Sequence, residues 1–418
     1  MEEQKTAMPQ ALANDHESLQ GKTILLGVSG SIAAYKAAYL ASALHKRGCD
    51  VHVLMTANAC QFINPITFET LTDNNCLVDT FDRNFQYNVE HVSLAKRADL
   101  CLLAPASANL IARLAYGMAD DMLTTTVLAC SCPKLVAPAM NTGMLQNPIT
   151  QDNLARMERF GFTLIQPAIG YLACGDTGAG KFPEPEVLLE HVYQQLCCPK
   201  DLAGVRVLVT AGPTREAVDP VRFLSNRSSG KMGYAVARAA SLRGAQVTLV
   251  SGPTALEEPP FVQTVQVTSA REMFEAVTSR AGEQDIIIKA AAVADYRPAQ
   301  VYEEKIKKGP QGDLNAIELE RTDDILAWLG AHKTPGQFLC GFSMETQNVE
   351  ENSRAKLYKK NVDMIAANSL RTQGAGFAGD TNVLTLITRD GARQLEKMSK
   401  REAAHCLLDE IQRRRNGG

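Results

Sequence analysis

Two stretches of this chain begin in the same way, and that repetition constrains the fold more than any other feature. Gly21-Lys22-Thr23-Ile24-Leu25-Leu26-Gly27-Val28-Ser29-Gly30 opens one, and Gly204-Val205-Arg206-Val207-Leu208-Val209-Thr210-Ala211-Gly212 opens the other. Each is an apolar run of strand length that ends in a loop of small residues and leads into a helical stretch, which is how a parallel α/β domain starts. The 418 residues exceed one ordinary core at roughly 150 residues per domain. The expected fold is α/β: two Rossmann-like domains with mostly parallel sheets covered on both faces.

The expected divisions are a disordered polar tail over 1–20, a first domain over 21–196, a linker over 197–203, a second domain over 204–412 and a short basic tail over 413–418, frayed and solvated. Val51 to Met55, Leu100 to Leu103 and Leu135 to Ala137 read as further strands of the first domain. Val247 to Val250, Ile286 to Ile288, Phe338 to Gly341 and Met364 to Ala366 do so in the second. Helices read at Ala33 to Arg47, Tyr234 to Arg243, Arg271 to Arg280 and Lys400 to Arg413.

The formal charge of -3, with both signs dispersed, lacks the basic footprint of a nucleic-acid binder. No apolar run approaches the ~18 residues of a membrane helix, and the polar start is unlike a signal peptide. Eleven cysteines, an odd number, include no CxxC pair. A disulfide framework and metal-site spacing are both missing, so a reducing, cytoplasmic setting is expected.

Ligands of such sheets bind at the carboxyl ends of the strands. After the first strand, glycines in Gly27-Val28-Ser29-Gly30-Ser31 allow close backbone approach, and the helix start with the Ser31 hydroxyl suits a phosphate. A tight turn without a ligand would read alike, and the absence of GxGxxG disfavours a nicotinamide cofactor. Ala104-Pro105-Ala106-Ser107-Ala108-Asn109 leaves room for a flat ring beside Ser107 and Asn109, or is an ordinary capped helix start. His91 and Asn141, each taken alone, would pass as structural. Cys174 lies in the glycine-rich Leu172-to-Lys181 segment, which reads as a mobile flap carrying either a thiol placed for chemistry or a neutral surface cysteine.

GSIAAYK, His91 ahead of the AD-strand-PASAN segment, PAMNxxM and the LACG flap occur in one order. Over roughly residues 20 to 190 the chain resembles the flavin-containing cysteine decarboxylases that act on phosphopantothenoylcysteine. The resemblance implies FMN against Gly30, Ser31, Thr56, Ser107 and Asn109, with Ala139 near the ring. It implies oxidation of the substrate thiol to a thioaldehyde, which gives the departing CO₂ an electron sink. His91 then assists the oxidative step, Asn141 holds the substrate carboxylate, Met144 shapes the pocket and Cys174 donates the later proton. Where the family often has Gly-Arg-Met, this flap ends Gly180-Lys181-Phe182-Pro183, which leaves Lys181 to supply the charge.

In the second half, Ser225 to Gly233 is a polar, glycine-bounded loop able to cradle an anion, or a plain capped helix start. Asp295 ends a strand where it could meet a ribose, a base or Mg²⁺. Lys305 lies in a charge run that usually marks a solvated surface, and Phe342 could stack on a base or simply fill a core. AGPT, NRSSGKMG, AAAVADY, EKIKK, GFxxET and the later pair Lys356 and Lys360 follow in order. From about residue 200 to 412 the chain resembles the phosphopantothenate–cysteine ligases. That resemblance implies CTP as co-substrate, an acyl-cytidylate and Mg²⁺ near Asp295. Asn226 orients the acyl phosphate or carboxylate, and Lys305 stabilises phosphate charge. Lys289, Ala290, Ala291, Asp295, Phe342, Lys356 and Lys360 hold the nucleotide, with Asp324, Ile325 and Leu326 alongside. A Walker motif is missing. The family also implies a homo-oligomer, with decarboxylase trimers building dodecamers and ligase dimers.

Two other readings stay open. A flavin prenyltransferase-like first domain would share the strand-turn and need neither His91 nor Cys174. A catalytically idle subunit would bind partners through the flavin fold, and the presence of His91, Asn141 and Cys174 argues against it.

Overall fold

The computed structural model describes residues 16–80, 90–173, 175–306, 316–345, 349–369 and 379–417. It divides into two compact units, Met1–Pro199 and Lys200–Gly418.

The first unit runs β1 (Thr23–Val28), α1 (Ala34–His45), β2 (Asp50–Met55), α2 (Pro65–Thr72), α3 (Glu90–Arg97), β3 (Leu100–Ala106), α4 (Ala108–Ala115), α5 (Met122–Ala129) and β4 (Lys134–Pro138). It continues through α6 (Thr142–Gln146), α7 (Pro148–Arg159), β5 (Phe162–Leu164), β6 (Ala168–Tyr171), β7 (Thr177–Lys181) and α8 (Pro185–Leu196). The main sheet has the order β2-β1-β3-β4-β5, with every pairing parallel. A parallel strand buried on both faces needs no polar alternation. Ile24, Leu26 and Val28 enter one core while Leu25 enters the other.

The glycine-rich segment differs from the loose flap expected of it. β6 and β7 form an antiparallel ribbon, pairing Gly170 with Gly178 and Tyr171 with Thr177. Gly180 has φ +119°, and a Cβ there would lie 2.2 Å from the Met140 carbonyl oxygen. The Met140 amide donates to the Gly180 carbonyl at 3.1 Å. Glycine here serves close docking on the loop after β4 rather than mobility. Cys174 lies outside the described residues.

The second unit begins with β8 (Arg206–Ala211), β9 (Arg215–Ala217), β10 (Phe223–Ser225), α9 (Lys231–Leu242), β11 (Gln246–Ser251), β12 (Gln263–Gln266), α10 (Ala270–Ala281) and β13 (Ile286–Lys289). There follow β14 (Tyr296–Pro298), β15 (Leu319–Arg321), α11 (Ile325–Ala331), β16 (Phe338–Glu345), α12 (Val349–Lys359), β17 (Met364–Ser369), β18 (Thr381–Asn382), β19 (Leu384–Thr388), β20 (Ala392–Gln394), β21 (Met398–Ser399) and α13 (Lys400–Arg415). Its sheet has the order β12-β11-β8-β13-β16-β17-β19-β20. The strands are parallel as far as β17, and β19 and β20 return antiparallel. Val207, Val209 and Ala211 face one core and Leu208 the other.

Near the boundary between the units, Leu202 is fully buried. Arg243, itself 5% exposed, donates to Asp201 at 2.8 Å and to Asp409 at 2.6 Å. The basic end is not frayed as expected: α13 runs to Arg415. Arg413 and Arg414 bond to the buried Glu410 at 2.6 and 2.7 Å, and Arg414 also reaches Asp390. Those guanidinium groups offset a carboxylate that burial works to protonate and hold it below its ordinary range.

Gly330 on α11 marks a close backbone approach. A Cβ at this position would fall 1.8 Å from the Lys360 carbonyl oxygen, and the Asn361 side chain donates to the Gly330 carbonyl at 2.9 Å. Gly330→Ala is expected to lower stability by about 1–3 kcal/mol, the usual size of an overpacking defect. A urea midpoint equal to that of the parent chain would contradict this packing.

Candidate active sites

In the first unit, backbone and hydroxyl bonds gather the carboxyl ends of four strands. The Ser29 hydroxyl donates to the Pro105 carbonyl at 2.7 Å and accepts the Ser107 amide at 2.8 Å, joining the loops after β1 and β3. The Thr56 amide donates to the Val28 carbonyl at 3.1 Å, and the Ala139 amide to Ala106 at 3.0 Å. Gly30, Ser31, Thr56, Ser107 and Ala139 therefore share one edge of the sheet. Strand order reverses between β1 and β3, the position where such folds open a crevice. At Gly30 a Cβ would meet Asn58 at 2.7 Å, so only glycine lets this loop close.

A cavity of about 460 Å³ opens at this edge, lined by Ser31, Lys36, Ala139, Asn141, Tyr171 and Lys181 among others. Its size falls in the range of small-molecule sites, roughly 300–1,000 Å³. Asn141 caps α6, accepting the Gly143 amide at 2.8 Å, and its amide donates to Asp176 on the ribbon at 3.4 Å. Lys36 bonds to Glu184 at 2.8 Å, and Lys181 lies 3.7 Å from the same carboxylate. The Lys36 hydrogen bond, helped by the charges of both lysines, holds the Glu184 carboxyl below its ordinary range. Of the expected residues, the lining includes Ser31, Ala139, Asn141 and Lys181. It does not include His91 at the start of α3, Gly30, Thr56, Ser107, the exposed Asn109 or the half-exposed Met144. Tyr171 and Lys36 join the lining without having been singled out. Lys36 stood in a quoted motif, whereas Tyr171 carried no sequence signal.

The second unit brings nearly all its expected residues together. One cavity of about 470 Å³ is lined by Asn226, Lys289, Ala290, Ala291, Asp295, Leu326, Phe342, Lys356 and Lys360. A neighbouring one of about 340 Å³ shares Lys289, Asp295 and Lys360 and adds Asp324 and Ile325. Asn226 donates from its amide nitrogen to the carbonyls of Ala292 and Val293, both at 3.1 Å. Only the nitrogen end can bond to carbonyl oxygens, so its own oxygen is left for a ligand. Lys360 pairs with Asp324 at 2.9 Å, and Asp324 caps α11 through the Ala327 amide at 3.0 Å. Burial alone would raise the Asp324 carboxyl, but the bonds from Lys360 and Ala327 keep it below the usual range. Lys289, half-buried at the end of β13, is pushed down to about 8 by burial and then by the charge of Lys360, with Asp324 and Asp295 opposing.

Lys305 is exposed and outside both linings. The adjoining Ile306 amide is held by Asp219 at 3.3 Å. Sequence reasoning missed Lys400, the first residue of α13, which is 7% exposed and lines the larger cavity with Lys231. Burial and the Lys231 charge lower its proton affinity, and nothing in its local sequence sets it apart. Among the described residues, no three His, Cys, Asp or Glu side chains gather as a metal cage.

The flavoprotein family model matches residues 12–197, and the model of the DNA/pantothenate metabolism flavoprotein C-terminal domain matches residues 202–414. The coenzyme A biosynthesis bifunctional protein CoaBC of Bacillus subtilis is 46% identical over 94% of this chain and 97% of that protein. This chain belongs to the CoaBC family. The CoaBC protein of Vibrio cholerae is 47% identical over 94% of this chain and 98% of its own length. A crystal structure of a CoaBC C-terminal domain shares 46% identity with this chain, covering 52% of it and all of that domain, at a TM-score of 0.45. As a CoaBC protein the chain is a bifunctional enzyme of coenzyme A biosynthesis, a flavoprotein decarboxylase half joined to a ligase half. No helix among the described residues is long and apolar enough to cross a membrane.

Proposed function

We propose that the second unit joins cysteine to 4'-phosphopantothenate at the expense of CTP, and that the first decarboxylates the product to 4'-phosphopantetheine with FMN. The observation that carries the ligase half is the convergence of Lys289, Asp295, Phe342, Lys356 and Lys360 from three separate segments, the end of β13 with its loop, β16, and α12 with the turn after it, on one cavity. A carboxylate is a poor electrophile. Its oxygen attacks the α-phosphorus of CTP, pyrophosphate leaves, and the amine of cysteine then displaces CMP from the acyl carbon. Lysines fixed around the cavity stabilise the phosphate charge, with Lys305 brought in from its exposed segment. The Asn226 nitrogen is already engaged, so its oxygen has no proton for the acyl phosphate or carboxylate it was expected to orient; it accepts instead from the attacking amine and aims it. Magnesium fits here as a nucleotide-borne ion held by Asp295 and phosphate oxygens, since such sites use one or two carboxylates.

In the first unit the 460 Å³ cavity at the strand-order reversal, lined by the small residues Ala33, Ala139 and Gly180 together with Ser31 and two lysines, fits FMN. Ser31, Ala139 and the Gly30 loop would hold it, with Thr56, Ser107 and Asn109 at the same sheet edge. When bound, it supplies a reversible two-electron acceptor, the sink that decarboxylation of an ordinary amino-acid carbon lacks. Asn141 and Lys181 bind the substrate carboxylate and orient it, Met144 bounds the pocket, and the ribbon keeps water out. His91 takes up or steers a proton at the substrate, and Cys174 returns one to the substrate carbon. His91 stands outside the lining of its own cavity. The exposed Ile32, Tyr39, Ile169 and Tyr171 of the same unit support trimers, building dodecamers, that complete the site, with dimers formed by the ligase halves. Eleven cysteines with no disulfide-framework spacing support a cytoplasmic setting.

Incubation with phosphopantothenate, cysteine and either CTP or ATP, following pyrophosphate, CO₂ and phosphopantetheine separately, tests both halves. Pyrophosphate release without dependence on phosphopantothenate would end the ligase reading. A chain free of yellow flavin that releases no CO₂ from phosphopantothenoylcysteine would end the other.

Lys289 gives this reading a pH signature. Its value of about 8 lies below the ordinary lysine value of 10.5, so between these two the unfolded chain holds the extra proton and stability rises with pH. A polyanionic nucleotide favours the ammonium form and raises the value again. Nucleotide binding near pH 8 should therefore take up roughly half a proton, by the same linkage. Calorimetry in buffers of different ionisation heat measures it, and Lys289→Met should abolish it. Equal uptake in that variant would assign the proton elsewhere.

A further inference from the structure

We propose that Cys197 and Cys198 form a vicinal-dithiol modification site, oxidised reversibly by small disulfides and bridged by trivalent arsenicals. Neither residue belongs to a catalytic cavity. Their sulfurs lie 3.1 Å apart, already within reach of one bridging atom. The Cys197 amide donates to the Tyr193 carbonyl at 3.1 Å, which fixes it on the last turn of α8. The Cys198 thiol points to the His16 carbonyl at 3.3 Å. The two sulfurs are thus held side by side, so little side-chain entropy remains to be lost on bridging them.

The two thiols differ in access. Cys197 is half-buried, whereas Cys198 is 8% exposed. The Cys197 thiolate attacks a disulfide RSSR, forming a mixed disulfide and releasing one RSH. Cys198 then attacks the Cys197 sulfur, forming the protein S–S bond and releasing the second RSH. The protein loses two hydrogens and two electrons, and RSSR gains both. Adjacent Cα atoms stand about 3.8 Å apart, closer than the ~4.4–6.8 Å that a relaxed disulfide spans. The ring is therefore strained, and strained disulfides are the readily reduced, labile ones. Closure would also withdraw Cys198 from His16 and reshape the exit of α8. That exit is immediately followed by Pro199, the last residue before the second unit.

Another close pair is Cys130 and Cys132, which share a hydrogen bond that holds the Cys132 thiol below its ordinary value against burial, with Lys134 assisting. It provides an internal competitor. The test uses the full flavin-loaded chain, reduced, desalted and treated with oxidised glutathione, followed by alkylation and peptide mapping. The expected result is loss of alkylation at both Cys197 and Cys198, with two hydrogens missing from that peptide, restored by dithiothreitol. Phenylarsine oxide should protect the same two thiols, and Cys197→Ser or Cys198→Ser should lose that protection while both enzyme rates stay at wild-type level. Should a serine variant misfold, protection in the wild-type chain alone decides. Persistent alkylation of both thiols, a stable glutathione adduct without ring closure, or a disulfide found only at Cys130 and Cys132 would overturn the proposal.

Discussion

Asn226→Asp is expected to slow amide formation by about 10²–10³-fold, the usual loss when one preorganised polar contact at a reacting centre is removed. The substitution is isosteric, so the cause is electronic. Two carbonyls, Ala292 and Val293, accept from the Asn226 nitrogen at 3.1 Å. A carboxylate would set oxygen against oxygen and swing away from the cavity. Pyrophosphate release, which precedes amine attack, should fall less than amide formation. Decarboxylation of supplied phosphopantothenoylcysteine, which belongs to the first unit, should be unchanged, and the retained pyrophosphate release serves as the control for folding of the second unit. Equal loss in both ligase half-reactions would count against a role in aiming the amine.

Asn141→Asp should lower the decarboxylation kcat/KM by a similar 10²–10³-fold and leave ligation untouched. The new carboxylate keeps the acceptor that caps α6 but faces Asp176, which the native amide reaches at 3.4 Å. Like charges at that range repel, so the ribbon loosens while the substrate carboxylate meets an anion. Adding Asp176→Asn should restore part of the lost rate, because it removes the first repulsion and not the second. A double variant no faster than the single one would mean that the ribbon contact is immaterial.

The parallel core was legible because burial on two faces leaves a plain apolar run. Leu100 to Leu103 and Ile286 to Ile288 stand out for that reason, and both lie within observed strands. Strands such as Arg215–Ala217 and Leu319–Arg321 are three residues long and mostly exposed, so no periodicity can announce them. The antiparallel return through Leu384–Thr388 was not foreseen either, since pairing direction is set by tertiary contacts. Site residues behaved alike. Those fixed by the ends of strands, such as Ser31 and Asp295, could be placed from their loops. His91 and Lys305 could not, because their position depends on how a helix or an exposed segment packs. Lys400 was invisible for a related reason: it reaches the cavity across about 170 residues from its neighbour Lys231.

The five lysines around the ligase cavity come from α9, β13, α12 with the turn after it, and the start of α13. In a stretched-out chain they are strangers, and no fragment carries the set. On the proposed ligase reading, a polyphosphate would meet the full set only once the whole second unit has assembled. A nucleotide bound there would act as a thermodynamic chaperone, adding about 2.7 kcal/mol to the assembled state at a hundred times its dissociation constant. A cell short of this co-substrate would hold the enzyme not merely idle but also easier to unravel.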